Sequence, residues 1–400
     1  MSRLWLKVTE NPVRRIRERD VLALTDRWLP PDAIAGALRA VQAWPGYLER
    51  RALDLRGLAR AASVAAIHYQ DEGTRFGLQS FKGWGGGYAT STLLERARAR
   101  GEGRDESVTV TCATDGNHGR AVAWAAREAG GRSVVYVADI VTEFRASLIA
   151  AYGAEIVRST GNHEVASAEC LAAAREHGWY VITETENATE PQIAADILAG
   201  YGALWSATLD GLDEPPTHVF VQAGVGGLAA TAAGLTARMF GEARPVLTVV
   251  EADTADCIRL GLEAGERVTL EGDFDTAMAG LAAGATSTFA WELLSAGADF
   301  AVAIRDPSAE ATMRRLAAPP QGDPVIEAGA SGVAGLAGAL SVCADDELRG
   351  RFGITGGSRV LVIGTEGPTD PEGYLRIVGR SPTRESPDPR VTRAQPPPAR

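Results

Sequence analysis

Val108-Thr109-Val110-Thr111-Cys112-Ala113, running straight into Thr114-Asp115-Gly116-Asn117-His118-Gly119, is the stretch on which the fold turns. The β-branched run predicts a strand over residues 108–113, and the polar, glycine-bearing turn opens an Ala-rich amphipathic helix over residues 119–129. The same unit recurs outward. Strands are predicted over residues 133–138, 155–158 and 180–183, with helices over 143–152 and 163–177 between them. A second series has strands over 217–222, 246–251 and 359–363, with a helix over 228–240. Strands alternating with helices in this way form parallel sheets covered on both faces. Two such series predict an α/β protein with two open, twisted, mainly parallel sheets.

The 400 residues, 45% hydrophobic and 23% charged, can bury more than one small core. The expected division is a larger domain from residues 1–88 and 205–380, a smaller one from 89–204, and a tail. The first hundred residues, with Trp5, Trp28 and Trp44 scattered among charged residues, are expected to form an irregular arm wrapping the larger domain. Residues 381–400, rich in Pro and Arg, are expected to be disordered for want of apolar surface to bury. A net charge of −11 argues against nucleic acid or an anionic membrane as partner. No segment has the apolar length of a signal peptide core or a membrane span, so a cytoplasmic protein is expected. Four separated cysteines suggest neither disulfides nor zinc, and five histidines show no ligand spacing, so no metal is expected.

Four glycine-flanked segments are candidates for chemistry. In Ser80-Phe81-Lys82-Gly83 a lysine stands between an aromatic residue and a glycine cluster. Partial desolvation of such an amine favours the neutral nucleophile, although a solvated surface lysine is the ordinary reading of the segment alone. The Thr114–Gly119 turn offers backbone amides to a carboxylate or ring hydroxyl, or is simply a helix cap. Ala223-Gly224-Val225-Gly226-Gly227-Leu228-Ala229 lies between strand and helix and can cradle phosphate. With Glu251 ending the next strand, it also fits a dinucleotide site, which would make the chain an oxidoreductase. Gly364-Thr365-Glu366-Gly367 closes the late strand.

In this order the four segments resemble the fold type II pyridoxal-phosphate (PLP) enzymes of the tryptophan synthase β-like superfamily, and within it the diaminopropionate ammonia-lyase family. The resemblance runs from about Asp71 to Tyr374 and includes Met278-Ala279-Gly280-Leu281 and Thr365-Glu366-Gly367-Pro368-Thr369-Asp370-Pro371. It implies pyridoxal 5'-phosphate held as a Schiff base on Lys82. It further implies that Gly224, Val225, Gly226 and Gly227 bind the phosphate, Asn117 the ring 3-hydroxyl and Thr365 the ring nitrogen. Thr114, Asp115 and Gly116 would hold the substrate carboxylate, Asp115 would be a second base opposite Lys82, and Glu184 would stand for a family carboxylate. The implied reaction is α,β-elimination of an amino acid, turning 2,3-diaminopropionate into pyruvate and ammonia, in a homodimer.

Three places depart from the family pattern. Ala330 replaces a glutamate, Ala283 and Ala285 stand in a segment that elsewhere carries cysteine and acid, and Glu184 or Glu186 replaces an aspartate. Fewer acids to meet a cationic β-ammonium leave open elimination or β-replacement on another amino acid in a specialised pathway, or a silent PLP-binding homologue. His118 receives no catalytic role, being read as structural at a helix N-terminus, and Arg75 is read as an exposed partner of Asp71 or Glu72.

Overall fold

The computed structural model describes residues 6–12, 18–102, 108–114, 116–185 and 190–383. Asp115 and Glu186 lie outside the described residues, as does all of the expected disordered tail except residues 381–383.

Among the described residues eleven strands build two sheets. β1 (Leu6–Glu10), β2 (Leu53–Asp54), β3 (Ala66–Asp71), β8 (His218–Gln222), β9 (Val246–Ala252), β10 (Phe300–Ile304) and β11 (Arg359–Gly364) form the larger, in the order β1-β10-β9-β8-β11-β3-β2. Only the edge strands β1 and β2 run antiparallel to their neighbours. β4 (Thr109–Ala113), β5 (Arg132–Val137), β6 (Glu155–Arg158) and β7 (Tyr180–Val181) form the smaller sheet, in the all-parallel order β6-β5-β4-β7. Central strands such as β8 and β10 are buried along their whole length, as expected where helices cover both faces. The two-sheet expectation holds, with most boundaries within a residue or two.

The N-terminal hundred residues differ from the irregular arm expected. They supply β1, β2 and β3 to the larger sheet, and the Pro31–Gln42 and Gly86–Ala99 helices. The short helices and edge strands here lack the long periodic runs that reveal an element. Two tryptophans that looked scattered are packing residues: Trp28 lies 5.9 Å from Phe289, and Trp44 lies 5.1 Å from Trp124 of the Asn117–Glu128 helix, centroid to centroid.

Arg75 also departs from its reading as an exposed partner. It is 3% exposed, and its Nε and NH2 each lie 2.6 Å from an oxygen of Glu72, which is fully buried. Glu72 further accepts from Trp84 Nε1 at 2.9 Å and Gln70 Nε2 at 2.9 Å. The pair thus pins the loop before Lys82 to the indole just after it. Removing one member strands a buried charge, at a cost of about 3 to 5 kcal/mol. Glu72→Ala should therefore lower the thermal midpoint by many degrees, whereas Glu310→Ala, which breaks an exposed pair with Arg314, should leave it nearly unchanged.

Candidate active site

The Lys82 side chain comes from a single turn, Phe81–Gly83, immediately before the Gly86–Ala99 helix. That turn is clasped to the end of β11: Phe81 N donates to Thr365 O at 2.9 Å, and Gly367 N donates to Gln79 O at 2.9 Å. The lysine and Thr365, far apart in sequence, are therefore fixed relative to one another by backbone.

Lys82 Nζ is ion-paired with Glu184, which follows β7 of the smaller sheet, and also lies 3.3 Å from the hydroxyl of Tyr201. Tyr201 Oη donates to Glu184 Oε1 at 2.6 Å. His118 Nδ1 stands 3.6 Å from the same oxygen, while its Nε2 is 3.0 Å from Ile182 O, a contact that requires the proton on Nε2. Burial alone would raise the Glu184 pKa; the adjacent Lys82 amine and the hydrogen-bonding imidazole of His118 outweigh it and hold the carboxyl well below the usual range. Burial and the adjacent Glu184 push the Tyr201 phenol well above its ordinary value, so it keeps its proton and serves as a donor.

On the other flank, Asn117 Nδ2 donates to Glu366 Oε2, and Asn117 Oδ1 accepts from Arg120. Burial lowers the Arg120 guanidinium to about 10, which still leaves it cationic at neutral pH. Thr114 Oγ1 accepts from the amides of Gly116 at 3.1 Å and Gly119 at 3.3 Å, so its hydroxyl proton remains available to a ligand.

The Gly224–Gly227 segment leads from β8 into the Gly227–Phe240 helix. Gly226 has φ +96°, a conformation that an L side chain would strain. A Cβ on Gly224 would lie 3.1 Å from Gly280 O and 3.6 Å from the methyl of Ala283. Among the described residues the amides of Gly224 to Gly227 donate to no protein group. These are the properties of an anion cradle at a helix N-terminus. Tyr201 joins cradle and lysine, since its ring lies 3.5 Å from where a Gly227 Cβ would sit.

The structure therefore brings together Lys82, Glu184, Asn117, Thr114, Thr365 and the glycine cradle. It also recruits Tyr201, His118, Arg120, Gln222 and Glu366, none of which received a role from sequence. One signal was available and missed: among 40 basic residues the chain has only two lysines, Lys7 and Lys82. Lys7 sits on β1 and pairs with Asp256 at 3.3 Å.

Glu251, the acid of the dinucleotide reading, is used elsewhere. Fully buried, it accepts from the amides of Ile258 and Arg259 at 2.8 Å each and caps the Cys257–Ala264 helix. The departing segments lie around the site: Gly280 N donates to Ser331 Oγ at 2.9 Å beside Ala330, and Ala283 adjoins Gly224.

Residues 45–366 match the model of the pyridoxal-phosphate dependent enzyme family. The chain is 34% identical over 349 residues to a diaminopropionate ammonia-lyase of Escherichia coli K12, covering 83% of this chain and 88% of that one. It is 33% identical to the Salmonella typhimurium LT2 diaminopropionate ammonia-lyase, covering 84% and 90%. The crystal structure of the holo diaminopropionate ammonia lyase from E. coli superposes with TM-score 0.85 at 30% identity, covering 94% of this chain and 97% of that one.

Glu184 has a folded-state pKa below its ordinary value, so its pairing contributes stability that is present above the ordinary carboxylate range and lost as pH falls through acidic values. Glu184→Gln should accordingly destabilise the cofactor-free protein at pH 7, with the difference from wild type shrinking in acid. Denaturant unfolding at a series of pH values measures this.

Proposed function

We propose, from the premise that this chain belongs to the pyridoxal-phosphate dependent enzymes and within them to the diaminopropionate ammonia-lyase family, that it catalyses α,β-elimination of 2,3-diaminopropionate to pyruvate and ammonia. The observation that carries the reading is one buried constellation. Lys82 lies against Glu184 and Tyr201, with an unsatisfied glycine-amide cradle on one side and Thr365 on the other.

The residues fit pyridoxal phosphate. The cradle has free amides for the phosphate, Asn117, held by Glu366 and Arg120, would offer its remaining amide proton to a ring hydroxyl, and the Thr365 hydroxyl has no acceptor among the described residues. Bound there, the cofactor supplies an electron sink for charge left at the substrate α-carbon. Lys82 would hold it covalently through Nζ and then serve as a proton carrier at the α-carbon. Glu184, directly paired with Nζ, is proposed to exchange a proton with the lysine, while Tyr201 donates to its carboxylate and His118 lies beside it. Asp115, two residues past β4 in the sequence, is proposed as the second base. Thr114, through its available hydroxyl proton, and Gly116, whose amide orients that hydroxyl by donating to Thr114 Oγ1, are proposed to form the substrate carboxylate site. The β-amine departs as ammonia after protonation, and the released aminoacrylate takes up water to give pyruvate and the second ammonia.

The proposed domains are residues 1–88 with 205–380, and 89–204. All strands of the larger sheet fall in the first set and all four of the smaller in the second. No helix among the described residues is long and apolar enough to cross a membrane. A cytoplasmic homodimer completes the reading; its location is supported by four cysteines in the free thiol form.

Purified enzyme should be yellow, and Lys82→Ala should be colourless and inactive. Glu184→Gln should retain colour and lose about 10²- to 10⁴-fold in kcat, the usual range for one acid-base group. Pyruvate release from each enantiomer of diaminopropionate should exceed release from serine, threonine and β-substituted alanines. Faster turnover of a neutral β-substituted amino acid would reassign the substrate, in keeping with Ala285 and Ala330, and would leave the reaction class standing.

A further inference from the structure

Gln222, the last residue of β8, is 3% exposed and reaches across to the end of β11. Its Nε2 lies 2.8 Å from Thr365 Oγ1, 3.0 Å from Ile363 O and 3.2 Å from Gly332 O. Its Oε1 is buried and has no hydrogen-bond partner among the described residues. The two carbonyls determine which end of the amide is which. They can only accept, so an amide oxygen turned toward them would face two further lone-pair centres. Nε2 therefore occupies that corner as donor, and Thr365 Oγ1 is its acceptor.

This has a consequence for the proton of Thr365. With the oxygen accepting from Gln222, the O–H points elsewhere, and no acceptor for it exists among the described residues. A buried amide with an orphaned oxygen is costly for folding, and an aliphatic side chain of similar volume would avoid that cost. The donated bond is what glutamine provides at this position.

We propose that Gln222 is a positioning residue that fixes the polarity of the Thr365 hydroxyl, making it a donor to the ring nitrogen of bound pyridoxal phosphate and holding that nitrogen unprotonated. This rests on the assignment of Thr365 to the ring nitrogen. An unprotonated nitrogen draws less charge into the ring, which favours expulsion of a β-substituent over proton return to the cofactor. Without the Gln222 donor, Thr365 Oγ1 can turn and accept from a protonated nitrogen. The ring then gains a protonated state on the acidic side.

Holoenzyme reconstituted with ring-15N pyridoxal phosphate tests this through the nitrogen resonance followed against pH. In wild type and Thr365→Ser the resonance should stay at the unprotonated position. In Gln222→Met it should move upfield toward the protonated position as pH is lowered. Gln222→Asn, which keeps an amide but withdraws it from Thr365, should do the same and carries the test if the Met variant fails to fold. A protonated resonance in wild type, or Gln222 variants that track wild type while Thr365→Val shifts, would overturn the proposal. If Thr365→Val itself leaves the resonance unchanged, the ring nitrogen is not at Thr365, and the underlying assignment fails instead. A purely structural role for Gln222 would alter stability and leave the resonance in place.

Discussion

The structure depends on a charged amine kept away from bulk water beside a carboxylate supplied by the other sheet. Lys82 enters from a turn fastened to the larger sheet, and Glu184 from the end of a strand in the smaller one. Each side chain is largely but not wholly screened from water, so the pairing offsets the desolvation of both. Tyr201 and His118 complete the shell around the carboxylate, and through Tyr201 the pair is tied to the glycine cradle. The geometry is thus a network in which cofactor-holding, proton-exchanging and anion-binding groups share neighbours.

Much of this was legible in the sequence because strand-turn-helix junctions leave local signatures. β-branched runs, Ala-rich helices and glycines at the junctions identified β4 to β9 and β11, though not the interior strands β3 and β10, and placed Lys82, Asn117, the cradle and Thr365 at element ends. The partners were not legible. Tyr201 lies in the middle of the Pro191–Asp210 helix, where an aromatic residue reads as core, and indeed it is fully buried. Gln222 reads as one more residue of a strand, since nothing local reveals a bond to residue 365. Arg75 and Glu72, three residues apart in a polar segment, have the sequence of an exposed pair; burial by Trp84 and the surrounding chain is a tertiary fact. The N-terminal strands were missed because strands of two to six residues, two of them at the sheet's edges, owe their existence to the sheet they join.

The rival reading of the glycine loop illustrates how structure decides between equal motifs. A dinucleotide site needs the acid at the end of the next strand to face a ribose, and both oxygens of Glu251 are instead spent on helix amides. The departures from the family pattern act differently: Ala283 adjoins the cradle, and Ala330 stands beside the serine that accepts from Gly280. They alter the walls of the site and leave Lys82 and its partners intact, so they bear on the substrate and not on the cofactor.

With only Lys7 and Lys82 available, the central claim has a direct measurement. Borohydride reduction of the yellow enzyme followed by peptide mass spectrometry should find the cofactor's added mass on the peptide containing Lys82 and none on that containing Lys7. Label on Lys7, or on neither lysine in a fully coloured enzyme, would contradict the account.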